Sequence, residues 1–381
     1  MIILITNDQF NIRGGTVLYV HELAIQLLAR GHKPIVYSTK LGKQTRLLRE
    51  AGIPVIDDLN QTAVAPDVIH GHFSIETMTA LLQFPRVPAV YFCHDWFSGT
   101  DSPPVFPRIL RYVGVDEPCY DKLVYEHSIA PERASLIFNF VDLERFQPRN
   151  PLPDQAHRAL VFSNYAKEGA HLEAIRRACR AANIQLDVSG EGVGSSSNTP
   201  ERLLRQYDIV FAKGRAALEA LAVGATVIVH SGISCLGQMV SDENLDNMIL
   251  HNFGLRELSP RLTPAELERK VRSELTRYDV ADAAKVSRRI RATANCDLAV
   301  NKIISLYQEV IDEYQQLTCH DTDAEMRAVA NFLRVSTVLH TNQEAAIARY
   351  ENSVPMRVAK RIRQIPVLGN VAKTIADKIA R

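Results

Sequence analysis

One alternation constrains the fold of this chain more than any other feature, and it occurs twice: a short β-branched run, a stretch at helical spacing, then another run. MIILIT (1–6) leads through a glycine turn into TVLYVHELAIQLLARGH, where Val17, Val20, His21, Ala24, Leu27 and Leu28 recur on one helical face and Gly31 supplies the stop. KPIVYS (33–38), a helical KQTRLLREAG, IPVI (53–56), PDVIHGH (66–72), a helical SIETMTALLQF and PAVYFCH (88–94) continue the series. Strands joined by helices of about ten residues or more line up in parallel, as a doubly wound α/β sheet.

A second series follows the proline-bearing FQPRNPLPDQ (146–155): RALVFSN (158–164), a helical GAHLEAIRRACRAAN, IQLDVSGEG (184–192), YDIVFAKG, a helix holding Glu219, and TVIVHSG (226–232). With 381 residues the chain exceeds one ordinary hydrophobic core. The expected domains are 1–150 and 151–317, both Rossmann-like, with 318–381 as a helical extension. Ligands of such sheets bind at the carboxyl ends of the strands.

Lys and Arg number 44 against 43 Asp and Glu, so no global field points to nucleic acid or a membrane. The six cysteines show no CxxC spacing, which argues against a zinc site and a disulfide framework and fits a reducing cytoplasm. The N-terminal apolar run is too short for a signal peptide and reads as a first strand, and no run reaches the ~18 apolar residues of a membrane span.

NIRGGTVL places Gly14 and Gly15 between the first strand and the first helix. Small residues there either close a tight turn or let a ligand's anion approach free helix N–H groups. His70, His72 and the pair His94-Asp95 stand at strand ends; His70 and His72 have no third ligand at metal spacing, and His94 is either a structural ring or a catalytic one. Glu219 either complements a helix dipole or faces the strand-end cleft.

Taken in order, RGGTVLYVHELAIQLLARGHKPIVYS, PDVIHGHFS, AVYFCHDW, ASLIFNFVDLERFQP and FAKGRAALEALAVGATVIV resemble the retaining glycosyltransferases of family 4, over residues 1–315. The resemblance implies the GT-B fold, with two Rossmann-like domains facing a cleft, a nucleotide-sugar donor held by the C-terminal half and an acceptor by the N-terminal half. It implies no cofactor and no metal, because helix N-termini and cations stabilise the leaving diphosphate. Gly14 and Gly15 match the loop near the donor phosphates, and His94, with Asp95 beside it, the histidine near the reacting sugar. Gly190 and Glu191 match the glycine turn near the base, while Ser195 to Asn198 read as a loop. Of the family's two glutamates eight positions apart, the ribose-binding one is Glu219; the sugar-binding one is replaced by Phe211. Asn164 stands where a phosphate-binding Arg is expected and Lys167 near the usual Lys, so Lys213 and Arg215, flanking Gly214, are expected to supply that charge.

Beyond 318 the helical DAEMRAVANFLRVSTVLH leads to a segment from Met356 to Arg381 with a net charge of +6, where Leu368, Val371, Ile375 and Ile379 follow helical spacing. It reads as an interfacial helix for an anionic membrane surface or as a helix packed on protein. Nucleic acid fits poorly, since the segment has no aromatic ring to stack a base. The run Arg288, Arg289, Arg291 reads as a solvated helix face. The resulting expectation is a cytoplasmic glycosyltransferase, peripheral at the inner membrane face, moving a sugar to a saccharide or lipid-linked acceptor in surface polysaccharide or glycolipid assembly. The rival is a catalytically inactive GT-B subunit or scaffold, and a nucleotide-sugar epimerase is a third reading.

Overall fold

The computed structural model describes residues 1–97, 101–317 and 321–351; the basic segment 356–381 lies outside them. Described residues up to Leu317, apart from 105–107, form one compact unit containing two sheets.

The first sheet has seven strands: β1 (Ile2–Thr6), β2 (Lys33–Tyr37), β3 (Val55–Ile56), β4 (Val68–Gly71), β5 (Ala89–Cys93), β6 (Ile109–Gly114) and β7 (Ala134–Leu136). Their spatial order is β3, β2, β1, β4, β5, β6, β7, and every pair is parallel. Helices α1 (Gly15–Ala29), α2 (Arg46–Glu50), α3 (Ser74–Gln83) and α4 (Glu117–Asp121) connect them. A parallel sheet covered on both faces requires strands apolar on both sides. Accordingly, β4 and β5 are buried along their whole length, His70 included.

Five strands form the second sheet: β8 (Arg158–Phe162), β9 (Gln185–Ser189), β10 (Ile209–Ala212), β11 (Thr226–His230) and β12 (Leu236–Met239), in the order β12, β11, β10, β8, β9. The first four are parallel, and β12 returns antiparallel against β11. The accompanying helices are α5 (Ala170–Ala181), α6 (Pro200–Leu204), α7 (Arg215–Val223), α8 (Leu245–Leu250), α9 (Pro264–Leu275) and α10 (Val280–Thr293). Alternating residues of β10 feed opposite faces: Val210 and Ala212 pack with α7 and α10, while Ile209 and Phe211 pack with α5 and α9.

The chain passes between the sheets twice. Val141 bridges to Asn295, with Val141 N–H donating to the Ala294 carbonyl at 2.9 Å and Cys296 N–H to the Val141 carbonyl at 3.1 Å. Arg291 is half-buried, not a purely solvated residue as its run suggested: its guanidinium donates to the carbonyls of Phe146 at 2.8 Å and Ala222 at 3.1 Å, fixing the crossing chain to the end of α7. Helix α11 (Cys296–Gln316) follows the second sheet in sequence yet packs on β4, β5 and α1 of the first. There Tyr307 Oη lies 2.6 Å from His70 Nδ1.

Helix α12 (Thr322–Glu351) belongs to a second unit. Asp321 accepts from Ala324 N–H at 2.8 Å, and Asp323 and Glu325 lie in its first turn, where acidic groups complement the dipole. Among the described residues no helix is long and apolar enough to cross a membrane.

Candidate functional site

Strand order reverses between β1 and β4 in one sheet and between β8 and β10 in the other. Crevices at such switch points receive ligands. The segments leaving β1, β8 and β10, together with the turn after β9, line one cleft of about 490 Å³.

Two helices begin at this cleft, and neither has a side-chain cap or an acidic residue in its first turn. Helix α1 starts after Gly14 and α7 after Gly214. Their first N–H groups lack intrahelical partners and present partial positive charge. A Cβ placed on Gly14 or Gly15 would meet no protein atom within 4 Å, so packing does not dictate glycine there; the missing side chains keep the cleft open. Gly190 differs. A Cβ there would lie 1.9 Å from the Ser163 carbonyl oxygen, so its glycine is required by the approach of two loops. Gly214 is required by conformation, since its φ of 56° strains any other residue.

The cleft brings together Gly14, Gly15, Asn164, Gly190, Glu191, Lys213, Arg215 and Glu219. Gly214 sits between Lys213 and Arg215 as the α7 N-cap. Lys167 does not line the cleft; it is exposed in the turn after β8. Asn164 acts as a tie: its Nδ2 reaches the Arg13 carbonyl at 3.4 Å, and its Oδ1 accepts from Glu191 N–H at 3.3 Å.

Glu219 is 5% exposed and its Oε1 accepts from Arg215 Nε at 2.9 Å. Burial raises its carboxyl above the ordinary range, with Arg215 opposing. Arg215 also ion-pairs with Glu22 of α1, which divides its charge between two carboxylates; among the described residues its Nη1 has no hydrogen-bond partner. Lys213 lies over the Tyr165 ring at 5.4 Å, and burial lowers its ammonium pKa while Asp95 raises it. Arg13 was passed over in the sequence. Its Nη1 donates to the Ser197 carbonyl at 2.5 Å, and burial lowers its pKa against the pull of Glu219. Its one sequence signal was its place directly before Gly14.

His94 and Asp95 do not line the cleft; the charge of Arg215 reaches His94, and that of Asp95 reaches Lys213. His94 packs edge-on against Tyr19 at 4.6 Å and lies 4.7 Å from the His72 ring. Burial, with Arg215 adding to it, drives its imidazole down to about 3, so the ring is neutral at physiological pH. Phe211 is fully buried and sits edge-on to His230 in the core between the second sheet, α5 and α9. It therefore neither faces nor closes the cleft.

Residues 13–145 match the sequence profile of Glycosyltransferase Family 4. No curated protein matches the chain by sequence. Among solved structures, a glycosyltransferase from Rickettsia africae ESF-5 is similar at 15% identity, over 81% of this chain and 98% of that one, with a TM-score of 0.59. HepE from Anabaena, in complex with UDP and glucose, is similar at 14% identity over 81% of this chain and 100% of its own, with a TM-score of 0.57. Its complex with UDP-glucose is similar at 15% identity, over 83% and 100%, with a TM-score of 0.55. Two Rossmann-like sheets in one unit, a helix returning to the first, and these neighbours together give the chain the α/β GT-B fold.

Proposed function

We propose that the chain is a glycosyltransferase that takes a sugar from a nucleoside diphosphate and passes it to a saccharide or lipid-linked acceptor in cell-surface polysaccharide or glycolipid synthesis. One observation carries this reading: two uncapped helix N-termini, Arg13, Lys213 and the buried Glu219 meet in a single cleft. Amide N–H groups and cations in a partly desolvated cleft stabilise the charge that develops on a departing diphosphate. These residues support a reading in which that charge is accepted without a metal. Glu219 is suited to the ribose hydroxyls, with Gly190 and Glu191 near the base. The Anabaena neighbour, solved with UDP-glucose, makes UDP-glucose the first donor to test. His94, a neutral ring set behind the cleft, helps position the reacting sugar, and the departing phosphate takes the acceptor's proton, with retention of configuration as in the family. The basic segment 356–381 is assigned to an anionic membrane surface on its sequence alone.

Calorimetric titration separates the parts. UDP and pyrophosphate should both bind, Lys213→Ala should weaken both, and Glu219→Gln should weaken UDP alone, since pyrophosphate has no ribose. Absence of UDP binding, or variants without effect, would reject the assignment. A second reading, a GT-B subunit without transfer activity, is favoured by Phe211, because no carboxylate stands at the sugar-contacting position. UDP binding without turnover of any nucleotide sugar would select it.

A further inference from the structure

Where the chain leaves β5, the backbone N–H groups of His94 and Asp95 both donate to one oxygen, Asp101 Oδ2, each at 2.6 Å. The other oxygen, Oδ1, accepts from the Tyr91 hydroxyl at 3.0 Å. On the opposite side of the turn, Lys122 Nζ donates to the carbonyls of Asp95 at 2.9 Å and Asp101 at 3.0 Å. Asp101 is 1% exposed and Lys122 3%. One buried anion thus holds the N–H side of the turn, and one buried cation its carbonyl side.

Closing a loop does not require this. Apolar packing does so without desolvating two charges, and buried ion pairs are often no more stabilising than their apolar replacements. What the charges add is direction: charge-assisted hydrogen bonds fix the peptide planes, and so the Cα–Cβ vectors of His94 and Asp95. His94 needs that support, because among the described residues its Nε2 has no hydrogen-bond partner, and its ring packs against those of Tyr19 and His72.

We propose that Asp101, backed by Lys122, is the positioning residue that fixes His94 and Asp95 behind the cleft that Lys213 and Arg215 line. The inference rests on the transferase reading for its consequence and on geometry for its existence. Burial pushes the Asp101 carboxyl up to about 7, against the His94 and Asp95 N–H groups, Lys122 and Tyr91, all of which favour its charged form. The Cys93 thiol, 3.8 Å from the Asp101 carbonyl, faces the same turn. The carboxylate form makes the clamp, so the clamp weakens as pH falls through that value.

Two measurements on the full-length protein test this. In ¹⁵N-labelled protein the His94 and Asp95 amide protons should resonate far downfield and move upfield together, with a midpoint near 7, as Asp101 takes its proton. Asp101→Asn should abolish that titration. With UDP-glucose as substrate, Asp101→Asn should lower kcat by about 100-fold, the scale of a misplaced reacting group, and leave KM unchanged. Wild-type kcat should fall below neutral pH, while the variant's profile stays flat. Stationary amides, or a variant with wild-type kcat and pH profile, would overturn the proposal. Should Asp101→Asn fail to fold, the wild-type amide titration decides by itself. Should wild-type protein neither bind UDP nor turn over UDP-glucose, the transferase reading fails, and the amides still decide whether the clamp exists.

Discussion

Arg215, in the first turn of α7, ion-pairs with Glu22 on α1, so a buried charge pair joins the helix that follows β1 to the helix that follows β10. Their side chains are 10% and 11% exposed, and Glu219, its side chain 7% exposed, is the third member. Removing the cation leaves two largely buried carboxylates without their contacting counter-charge, with Arg13 and Arg145 acting on Glu219 only at a distance. Arg215→Ala should therefore lower the unfolding free energy by roughly 3–5 kcal/mol. Glu22→Gln leaves Arg215 with Glu219 and should cost less, roughly 1–3 kcal/mol. Urea denaturation measures both; equal or negligible losses would mean that the triad is solvated.

The replacement at 211 makes a second prediction. The resemblance places a sugar-contacting glutamate at this position, yet here Phe211 points into a core with Ile175, Ile228 and Met239. Restoring the carboxylate by Phe211→Glu should not restore a sugar contact. It should destabilise the fold by roughly 3–5 kcal/mol, the scale of losing a buried phenylalanine before the charge is counted. A stable variant with faster turnover of a nucleotide sugar would show that the strand end can turn its side chain to the cleft.

These residues mark how far the sequence could be read. Nine of the strands, and the candidate site's placement at strand ends, followed from β-branched runs and glycine turns, because local spacing carries that information. Strand β6 did not, since prolines precede it and Arg111 interrupts its apolar run; the partner that accommodates that charge, Glu313 at 2.7 Å, is some 200 positions away on α11. Strand β12, with a glycine and a glutamine, takes its conformation from β11. Glu219 was legible as a cleft residue and its i,i+4 pair with Arg215 is local to α7, whereas the competing hold of Glu22 on Arg215 depends on how two sheets meet. Arg13 has no local signal beyond its place before Gly14, because its burial and its bond to the Ser197 carbonyl come from a loop of the other sheet.

His72 gives a test by pH. It is fully buried, and burial, reinforced by His70 and His94, holds its imidazole well below the ordinary 6.5. Below 6.5 the unfolded chain protonates this ring and the folded chain does not. The unfolded state then binds more protons, so stability is complete above that value and is lost as pH falls. At about pH 5.5 the loss from this one group is roughly 1.4 kcal/mol, one pKa unit. His72→Phe has a ring and no titrating group, and the wild-type-minus-variant difference in unfolding free energy should drop by that amount between about pH 7.5 and about pH 5.5. A difference independent of pH would mean that the ring is solvated in the fold.

The basic segment is tested at a lipid surface. With seven Lys and Arg against Asp377 between Met356 and Arg381, full-length protein should float with vesicles rich in anionic lipid, and protein ending at residue 354 should not. Each basic residue near the surface adds ~1 kcal/mol, so flotation should also weaken with salt. Equal floating fractions for the two proteins would assign the segment to protein packing.

The most direct test of the central claim, that two open helix N-termini hold a diphosphate, is calorimetric titration of UDP into wild-type and Gly15→Ala protein. A methyl group at Gly15 meets no protein atom, and alanine at a helix start does not destabilise it, so melting temperature should be unchanged or higher. UDP should bind the wild type and bind the variant at least about tenfold more weakly, as charge-assisted bonds to the first amides are blocked. Equal affinities in the two proteins, or no binding to either, would contradict the account.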